Sequence, residues 1–186
     1  MTSHVVVIGA GIVGAATAIE LLRDGHSVSI IEPEQPGGRQ ASSYGNSGWL
    51  SPASIIPMSM PGLWKKVPGL IADPNGPLII RWRHILRLAP WLLRFVSAGA
   101  TIAKVERTAR ILSSLLHDAP ARHEALAKEA GRSDLIVRKG LIYTYPDRSL
   151  FEAEALAWRL RRDNGVVYRE LSSDELHRLE PALSKA

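Results

Sequence analysis

Apolar and polar positions follow a strand–helix–strand order at the start of the chain. Val5–Ile8 is an uninterrupted run of β-branched residues, which is typical of a parallel strand buried on both faces. Apolar positions then recur at helical spacing from Ile12 to Asp24, and Gly25 provides a C-terminal cap. Ser27–Glu32 has the composition of a second strand. This order predicts a βαβ unit.

The rest of the chain shows no clear continuation of a parallel sheet. Residues 33–78 are rich in Pro, Gly and Ser, which predicts a long loop. Later patterns predict helices at 79–96 with a kink or restart at Pro90, at 101–117, 121–130 and 150–163, strands at 135–137, 141–145 and 166–168, and a last short helix capped by Ser172.

The sequence therefore predicts the α/β class, with an incomplete Rossmann-type βαβ unit followed by part of an α+β domain. We expect domains at 1–60 and 61–186. A single βαβ unit is too small to form a doubly wound sheet. We therefore expect the chain to be truncated, with further strands beyond Ala186 or supplied otherwise, and the isolated chain to be inactive and unstable.

Composition narrows the function classes. Apolar residues make up 46% and charged residues 22% of the chain, as in folded globular proteins. The absence of cysteine excludes disulfides, thiolate metal sites and cysteine nucleophiles, and it fits a cytoplasmic location. The net charge of +5 comes without a basic run, so we expect no nucleic acid partner. None of the six histidines pairs at metal-ligand spacing on one helix, so no metal is expected.

A glycine motif lies between the first predicted strand and helix. Its sequence has the G-x-G-x-x-G spacing: Gly9-Ala10-Gly11-Ile12-Val13-Gly14. The first glycine permits a tight turn, the second a close approach of pyrophosphate, and the third close packing of helix on strand. Phosphates would bind the free N–H groups at the helix N-terminus. The pattern favours a dinucleotide site.

An acidic residue stands at the end of the second predicted strand. The carboxylate of Glu32 can accept hydrogen bonds from both ribose hydroxyls of an adenosine. It would repel a 2′-phosphate, and no cation follows it to compensate, so NADP is disfavoured. The alternative is a glycine turn in another α/β fold, with Glu32 merely solvated.

The next segment favours FAD over NAD. Residues 39–49, RQASSYGNSGW, resemble the stretch after the second strand in the D-amino-acid oxidase-like FAD-dependent oxidoreductases. Within that family, Asn46-Ser47-Gly48 and Pro61-Gly62 are most similar to the branch of D-amino-acid dehydrogenase small subunits. The similarity continues through Pro77-Leu78, Pro90-Trp91-Leu92, Arg138-Lys139-Gly140-Leu141 and Glu180-Pro181-Ala182-Leu183.

The resemblance implies an extended FAD, with Arg39 and Ser42 along the dinucleotide and Asn46 and Gly48 near the flavin. Arg39 can pair with phosphate and Ser42 can donate to it. The alternatives are an exposed loop cation for Arg39 and an ordinary turn residue for Asn46.

The resemblance also implies the chemistry. Members of the family transfer hydride from the amine-bearing carbon to the flavin, and the imine then hydrolyses to a 2-oxo acid and ammonia. The implied substrates are small amino acids, D-amino acids first. Catalytic residues are expected beyond Ala186, so none is assigned. Two alternatives stay open, a glycine or sarcosine oxidase-like flavoenzyme and a non-catalytic nucleotide-binding fragment.

A basic stripe permits a membrane partner. Arg83, Arg87 and Arg94 would share one face if the helix ran through Pro90, opposite an apolar face that includes Trp82, Leu86, Trp91 and Leu93. That arrangement could rest on anionic lipid at the inner face of the plasma membrane and pass electrons to a membrane acceptor such as a quinone. The pattern favours the other reading, a helix that covers a domain and has a solvated basic side.

Overall fold

A computed structural model describes residues 2–73 and 82–183. Contacts divide the chain into two compact units, Met1–Trp49 and Leu50–Ala186. The helices and the small parallel sheet fit the expected α/β class. The expected domain limits, 1–60 and 61–186, stay a prediction.

The first unit is a strand–helix–strand arrangement, as the sequence predicts. It consists of strand β1 (His4–Ile8), helix α1 (Ile12–Arg23) and strand β2 (Ser27–Ile31). The two strands are parallel and in register, with Val6 opposite Ser29. Gly25 follows the helix with φ of +83°, in the left-handed conformation that a glycine cap provides.

The expected burial of β1 on both faces is wrong for this chain. Val5 and Val7 are half-buried, whereas Val6 and Ile8 on the opposite face are exposed. The reason is the small number of elements: a two-stranded sheet and one helix shield only the face on which the helix packs. Ile30 and Ile31 of β2 are exposed as well.

The second unit is helical in its described part. Thr101 caps the helix over the predicted 101–117 segment, and a capping box of Ser172 and Glu175 starts the last one. The helices are α2 (Leu63–Ala72), α3 (Ile85–Ala98), α4 (Ile102–Leu116), α5 (Ala119–Glu129), α6 (Arg148–Ala153), α7 (Ala155–Asp163) and α8 (Ser173–Leu179), with 3₁₀ turns at Trp82–His84 and Ser133–Leu135.

Two helix predictions need correction. Helix α2 lies inside the predicted loop 33–78, where Pro68 and Gly69 weaken the helical pattern. The predicted helix 150–163 is two helices, α6 and α7, which meet at Glu154. Helix α6 begins at Arg148 because the side chain of Asp147 accepts a hydrogen bond from the backbone N–H of Leu150.

The predicted helix 79–96 is present as α3, which continues through Pro90 to Ala98. Positions 79–81 lie outside the described residues. No single helix in residues 2–73 and 82–183 is both long enough and apolar enough to cross a membrane. One bent pair, Ile85–Ala98 with Ile102–Glu129, reaches the required length and apolar composition only when its two parts are taken together.

The prediction of three short strands in the second unit is wrong. Residues 136–145 and 166–168 form no strand, and Ser133–Leu135 is a 3₁₀ turn. A strand needs a neighbour for its backbone hydrogen bonds, and the described part of this unit contains none to pair with. Side chains of these segments pack instead on helices: Tyr143 lies edge-on against Trp158, and Arg138 forms an ion pair with Glu124.

Helices α4 and α7 supply the core of the second unit. Val105 and Ala109 of α4 and Leu160 of α7 are fully buried against one another. Trp158 of α7 packs against aromatic side chains of the neighbouring segments. Its ring centroid lies 4.7 Å from that of Tyr168. The unit is thus held together by one aliphatic and one aromatic cluster on the same helix.

Candidate functional site

The glycine corner, Gly9–Gly14, joins β1 to α1. Gly9 has φ of +97°, a conformation that disfavours any residue with a side chain, and its N–H donates to the carbonyl oxygen of Ile31 at 2.8 Å. The chain therefore leaves β1 in a turn that is tied to the end of β2. Both strands end at this corner.

The last glycine of the motif sets the distance between helix and strand. A Cβ on Gly14 would overlap the carbonyl oxygen of Gly9 and lie 3.0 Å from its carbonyl carbon. It would also lie 3.5 Å from Cγ1 of Val7 in β1. Only glycine lets α1 begin this close to β1.

The N-terminus of α1 has the features of an anion site. Its N-cap residue is Gly11, which has no side chain to cap the helix, and the first turn carries no acidic residue. Ile12 and Val13 are exposed apolar residues, so their contribution comes from their backbone N–H groups. Those groups and the helix dipole favour a phosphate.

Glu32 points to the glycine corner. Its Oε2 accepts a hydrogen bond from the backbone N–H of Ala10 at 2.6 Å, and its Oε1 accepts one from Nε2 of Gln40 at 3.1 Å. The Ala10 N–H, followed by the Gln40 amide, lowers the pKa of Glu32 below its usual value. The carboxylate is thus ionised at neutral pH. Its bonds stabilise the unit above the unfolded-state pKa and are lost as the pH falls through the lower folded-state value.

The segment after β2 folds back over the corner. The N–H of Gly37 donates to the carbonyl oxygen of Ala10 at 3.2 Å. The hydroxyl of Ser43 accepts a hydrogen bond from the N–H of Ile12 at 3.1 Å, and a Cβ on Gly11 would lie 3.3 Å from the same hydroxyl. Ser43 therefore contacts the group at which a phosphate is expected.

Sequence reasoning missed Ser43 and Gln40 and named Ser42 instead. Ser42 is exposed on the same segment. Two adjacent serines give no signal as to which one faces inward, because the segment has no regular secondary structure to impose a period. Only the resemblance of the whole stretch pointed to this part of the chain.

Three further predicted residues make their observed contacts within the segment itself. The Arg39 guanidinium lies 5.9 Å from the ring centroid of Tyr44. Oδ1 of Asn46 accepts from the N–H of Gly48 at 3.1 Å, and Gly48 has φ of +68°. Asn46 and Gly48 thus form a local turn, the alternative that the sequence left open. Their predicted roles near the flavin stay predictions.

Outside the corner, charged groups serve local structure. Ion pairs lower the pKa of Asp118 through Arg122 and that of Glu124 through Arg138, and all of these side chains are at least partly exposed. No group of three or more potential ligands able to hold a metal occurs in residues 2–73 and 82–183.

Comparisons with known proteins extend over almost the whole chain. Residues 4–186 match the family model described as FAD dependent oxidoreductase (DAO). A D-amino-acid oxidase of Bradyrhizobium diazoefficiens is 52% identical over 97% of this chain and 42% of its own length. The D-amino acid dehydrogenase 2 of Ralstonia nicotianae is 34% identical over 98% of the chain and 43% of its own length. A D-amino acid dehydrogenase of Dechloromonas aromatica is 31% identical over 98% and 43%, respectively.

The chain thus spans about two fifths of the length of these curated relatives. No solved structure matches it.

Proposed function

The chain belongs to the family of FAD-dependent oxidoreductases, and we propose that it forms the FAD-binding part of an enzyme that oxidises D-amino acids. FAD is the cofactor expected of that family. The proposed reaction removes two electrons from the CH–NH2 group of a small D-amino acid and passes them to bound FAD, and water then hydrolyses the resulting imine to a 2-oxo acid and ammonia. The observation that carries the proposal is the ionised Glu32 held at a glycine corner, beside a helix whose N-cap residue is a glycine.

The residues at the corner fit the adenine dinucleotide part of FAD. Glu32 would accept the ribose hydroxyls, with Gln40 and the N–H of Ala10 orienting its carboxylate. The backbone N–H groups at the start of α1 would bind the pyrophosphate, and the hydroxyl of Ser43 can turn from the N–H of Ile12 to donate to phosphate oxygen. When bound, FAD would accept the electrons removed from the substrate, and these residues would hold it in place.

The exposed apolar face of the small sheet supports the finer part of the fold proposal. Val6, Ile8 and Ile31 are apolar and exposed on β1 and β2. We propose that the first unit belongs to a Rossmann-type sheet whose further elements cover this face, and that residues 61–186 contribute to an α+β substrate domain. In this arrangement the β1 run would acquire the two-sided burial that its composition favours.

The electron acceptor and the location are further proposals. The relatives carry the names of oxidases and dehydrogenases, which differ in that oxidases pass electrons to oxygen. We propose a cytoplasmic enzyme with either oxygen or a quinone at the inner face of the plasma membrane as its acceptor. Assays with oxygen alone, and with a dye or quinone under nitrogen, separate the two.

A chimera tests the proposed reaction. The 186 residues replace the matching N-terminal part of the Bradyrhizobium D-amino-acid oxidase, and the unaltered relative is the control. We expect a yellow protein that oxidises D-alanine faster than L-alanine or sarcosine. Preference for sarcosine would favour the glycine or sarcosine oxidase-like alternative, and a folded chimera without flavin would contradict the proposal.

Replacing Glu32 tests the ribose contact directly. We expect the dissociation constant for FAD to rise about 10- to 100-fold in Glu32→Ala, since a hydrogen bond to a charged group contributes about 1.5–3 kcal/mol. Glu32→Gln, which keeps one acceptor oxygen but loses the charge, should lie between Glu32→Ala and the unaltered protein. Quenching of FAD fluorescence in a titration of the purified chain, and of the chimera, measures both.

The matched control is Glu34→Gln, which removes the same charge from an exposed side chain two residues away. It should leave the dissociation constant within about twofold. Equal affinity of Glu32→Ala and the unaltered chain would remove Glu32 from the site.

A further inference from the structure

Tyr145 lies in a short chain of hydrogen bonds in the second unit. Its hydroxyl donates to Oε2 of Glu154 at 2.7 Å and accepts a hydrogen bond from Nε1 of Trp158 at 3.0 Å. The chain has four tyrosines, and Tyr145 is the only one whose hydroxyl bonds to a carboxylate within residues 2–73 and 82–183. The phenol is therefore connected to a proton acceptor on one side and to an indole on the other.

Trp158 connects this phenol to rings nearer the surface. The indole is 7% exposed, and its ring centroid lies 4.7 Å from that of Tyr168 and 5.4 Å from that of Tyr143. Tyr143 is exposed and Tyr168 is half-buried. Electrons pass readily between rings in contact. An oxidant that meets one of the outer rings can therefore take an electron from the buried indole.

A buried cation limits where a positive charge can remain in this cluster. The guanidinium of Arg161 lies 4.5 Å from the ring centroid of Trp158 and 5.1 Å from that of Tyr143. Its Nε and Nη1 are buried and have no hydrogen-bond partner among the described residues. A guanidinium is attracted to the face of a neutral ring but repels a ring that has lost an electron. Arg161 thus disfavours an oxidised ring at Trp158 or Tyr143.

Tyr145 avoids this repulsion because it can lose a proton together with the electron. An oxidised phenol is a strong acid, and the carboxylate of Glu154 is in place to accept its proton. The phenoxyl radical that remains is neutral. In the reduced state the phenol keeps its proton, since burial, followed by the hydrogen bond to Glu154, raises the pKa of Tyr145. The proton therefore moves only when the electron leaves.

We propose that Tyr145 is a redox-active tyrosine, the residue at which a one-electron oxidation of the second unit ends. The co-reactant is an inorganic radical oxidant, the class to which the carbonate and azide radicals belong. The oxidant gains one electron from Trp158 through the outer rings, and Tyr145 returns one electron to Trp158. The O–H bond of Tyr145 breaks, and its proton forms a new O–H bond with the carboxylate of Glu154.

The assignment gives the cluster a protective role. Oxidation that ended on Trp158 would alter the ring around which the other aromatic side chains pack. A phenoxyl radical at Tyr145 is repaired when a small reductant such as ascorbate donates one electron and the proton returns from Glu154. Tyr145 is half-buried and Glu154 is exposed, so such a reductant can approach the pair. The role requires neither flavin nor amino-acid substrate, so it is independent of the proposed function.

Pulse radiolysis of the purified chain with azide radicals tests the proposal. These radicals oxidise tryptophan preferentially, and indole and phenoxyl radicals have distinct absorption spectra. We expect the indole signal to decay and the phenoxyl signal to rise in one shared first-order phase, at a rate independent of protein concentration. Tyr145→Phe keeps the ring but loses the hydroxyl, and should remove most of the phenoxyl rise. The flavin-free chimera with the Bradyrhizobium oxidase repeats the measurement in a longer chain.

The matched control is Tyr44→Phe, which removes a hydroxyl from an exposed tyrosine in the first unit. It should leave the shared phase unaltered. Trp158→Phe removes the connecting indole and should slow the phase. Thermal unfolding followed by circular dichroism verifies that each variant is folded.

Glu154→Gln tests the proton acceptor. We expect the rate of the shared phase to fall at least about tenfold, since a positioned base commonly contributes more than that to a proton transfer. D2O should slow the phase in the unaltered chain, because the O–H bond breaks as the electron leaves. A purely structural role of Glu154 would give no such isotope effect. Glu152→Gln removes a nearby exposed carboxylate on α6 and should leave the rate unaltered.

Three results would overturn the proposal. The first is a phenoxyl rise of full amplitude in Tyr145→Phe, and the second is an equal rate in Glu154→Gln and the unaltered chain. The third is an indole radical that persists in the unaltered chain without a phenoxyl rise. All of these variants should bind FAD with the affinity of the unaltered chain, so this proposal and the proposed function can fail separately.

Discussion

Gly14→Ala is expected to weaken FAD binding by this chain severely. The added methyl group would overlap the carbonyl oxygen of Gly9, and that oxygen belongs to the backbone of the turn rather than to a flexible side chain. Relief requires α1 to move away from β1 or the turn at Gly9 to open. Either movement displaces the N–H groups at the start of α1 from the position in which a phosphate would meet them.

The magnitude follows from the rigidity of the corner. Overpacking commonly costs about 1–3 kcal/mol even where side chains can yield. We therefore expect the dissociation constant for FAD to rise more than about 100-fold and the first unit to unfold at lower temperature. Fluorescence titration with FAD and thermal unfolding followed by circular dichroism measure these two effects.

Gly69→Ala is the matched control. This glycine lies in α2, is exposed, and would have no atom within 4 Å of an added Cβ. Alanine favours a helix over glycine by up to about 1 kcal/mol, so the control should be neutral or slightly stabilising. Full FAD affinity in Gly14→Ala would mean that helix and strand are not packed as closely as the motif requires.

The glycine corner was predictable because each of its requirements is local. A tight turn, a missing side chain at Gly14 and an acid at the end of β2 are encoded within about thirty residues of sequence. The structure places Glu32 against Ala10 at this corner, as a ribose acid requires. Its contact with ribose stays a prediction.

Features that depend on distant partners were not predictable in the same way. Residues 141–145 have a strand-like composition, yet no neighbouring strand occurs among the described residues of this unit, and Tyr143 and Tyr145 turn their rings toward α6 and α7. The burial of β1 was overestimated for the same reason, since its composition reflects a two-sided environment and the described part of the first unit supplies one side. Composition indicates the environment in which a segment is stable, but not whether that environment is present.

The sequence also could not predict which side chain of an irregular segment contacts the corner. Ser43 rather than Ser42 meets Ile12, and Gln40 rather than Arg39 meets Glu32. In a helix or a strand, a periodic pattern would decide between neighbours. In the turn-rich segment after β2 only the actual path of the backbone decides, and the turn at Gly37 and Gly38 sets that path.

Trp158→Ala should be the most destabilising substitution in the second unit. The indole is 7% exposed and packs against the rings of Tyr143, Phe151 and Tyr168. Its Nε1 donates a hydrogen bond to the hydroxyl of Tyr145 at 3.0 Å. Truncation of a buried tryptophan costs about 3–5 kcal/mol, a large fraction of the stability of an ordinary domain.

Arg161 increases the expected loss. Its guanidinium lies 4.5 Å from the ring of Trp158 and 5.1 Å from that of Tyr143, and its buried Nε and Nη1 have no hydrogen-bond partner among the described residues. The aromatic faces are thus the main compensation for a buried cation. Removing Trp158 leaves that charge with one ring instead of two.

Thermal unfolding of the purified variants measures the effect. We expect the melting temperature to fall by about 10 °C in Trp158→Ala, because 1 kcal/mol corresponds to about 2–4 °C in a chain of this size. Trp158→Phe keeps a ring over Arg161 but loses the hydrogen bond to Tyr145, so it should fall by less than half as much. Trp64→Ala, which truncates an exposed tryptophan on α2, should shift the melting temperature by no more than about 2 °C. Equal shifts in Trp158→Ala and Trp64→Ala would contradict the aromatic cluster around α7.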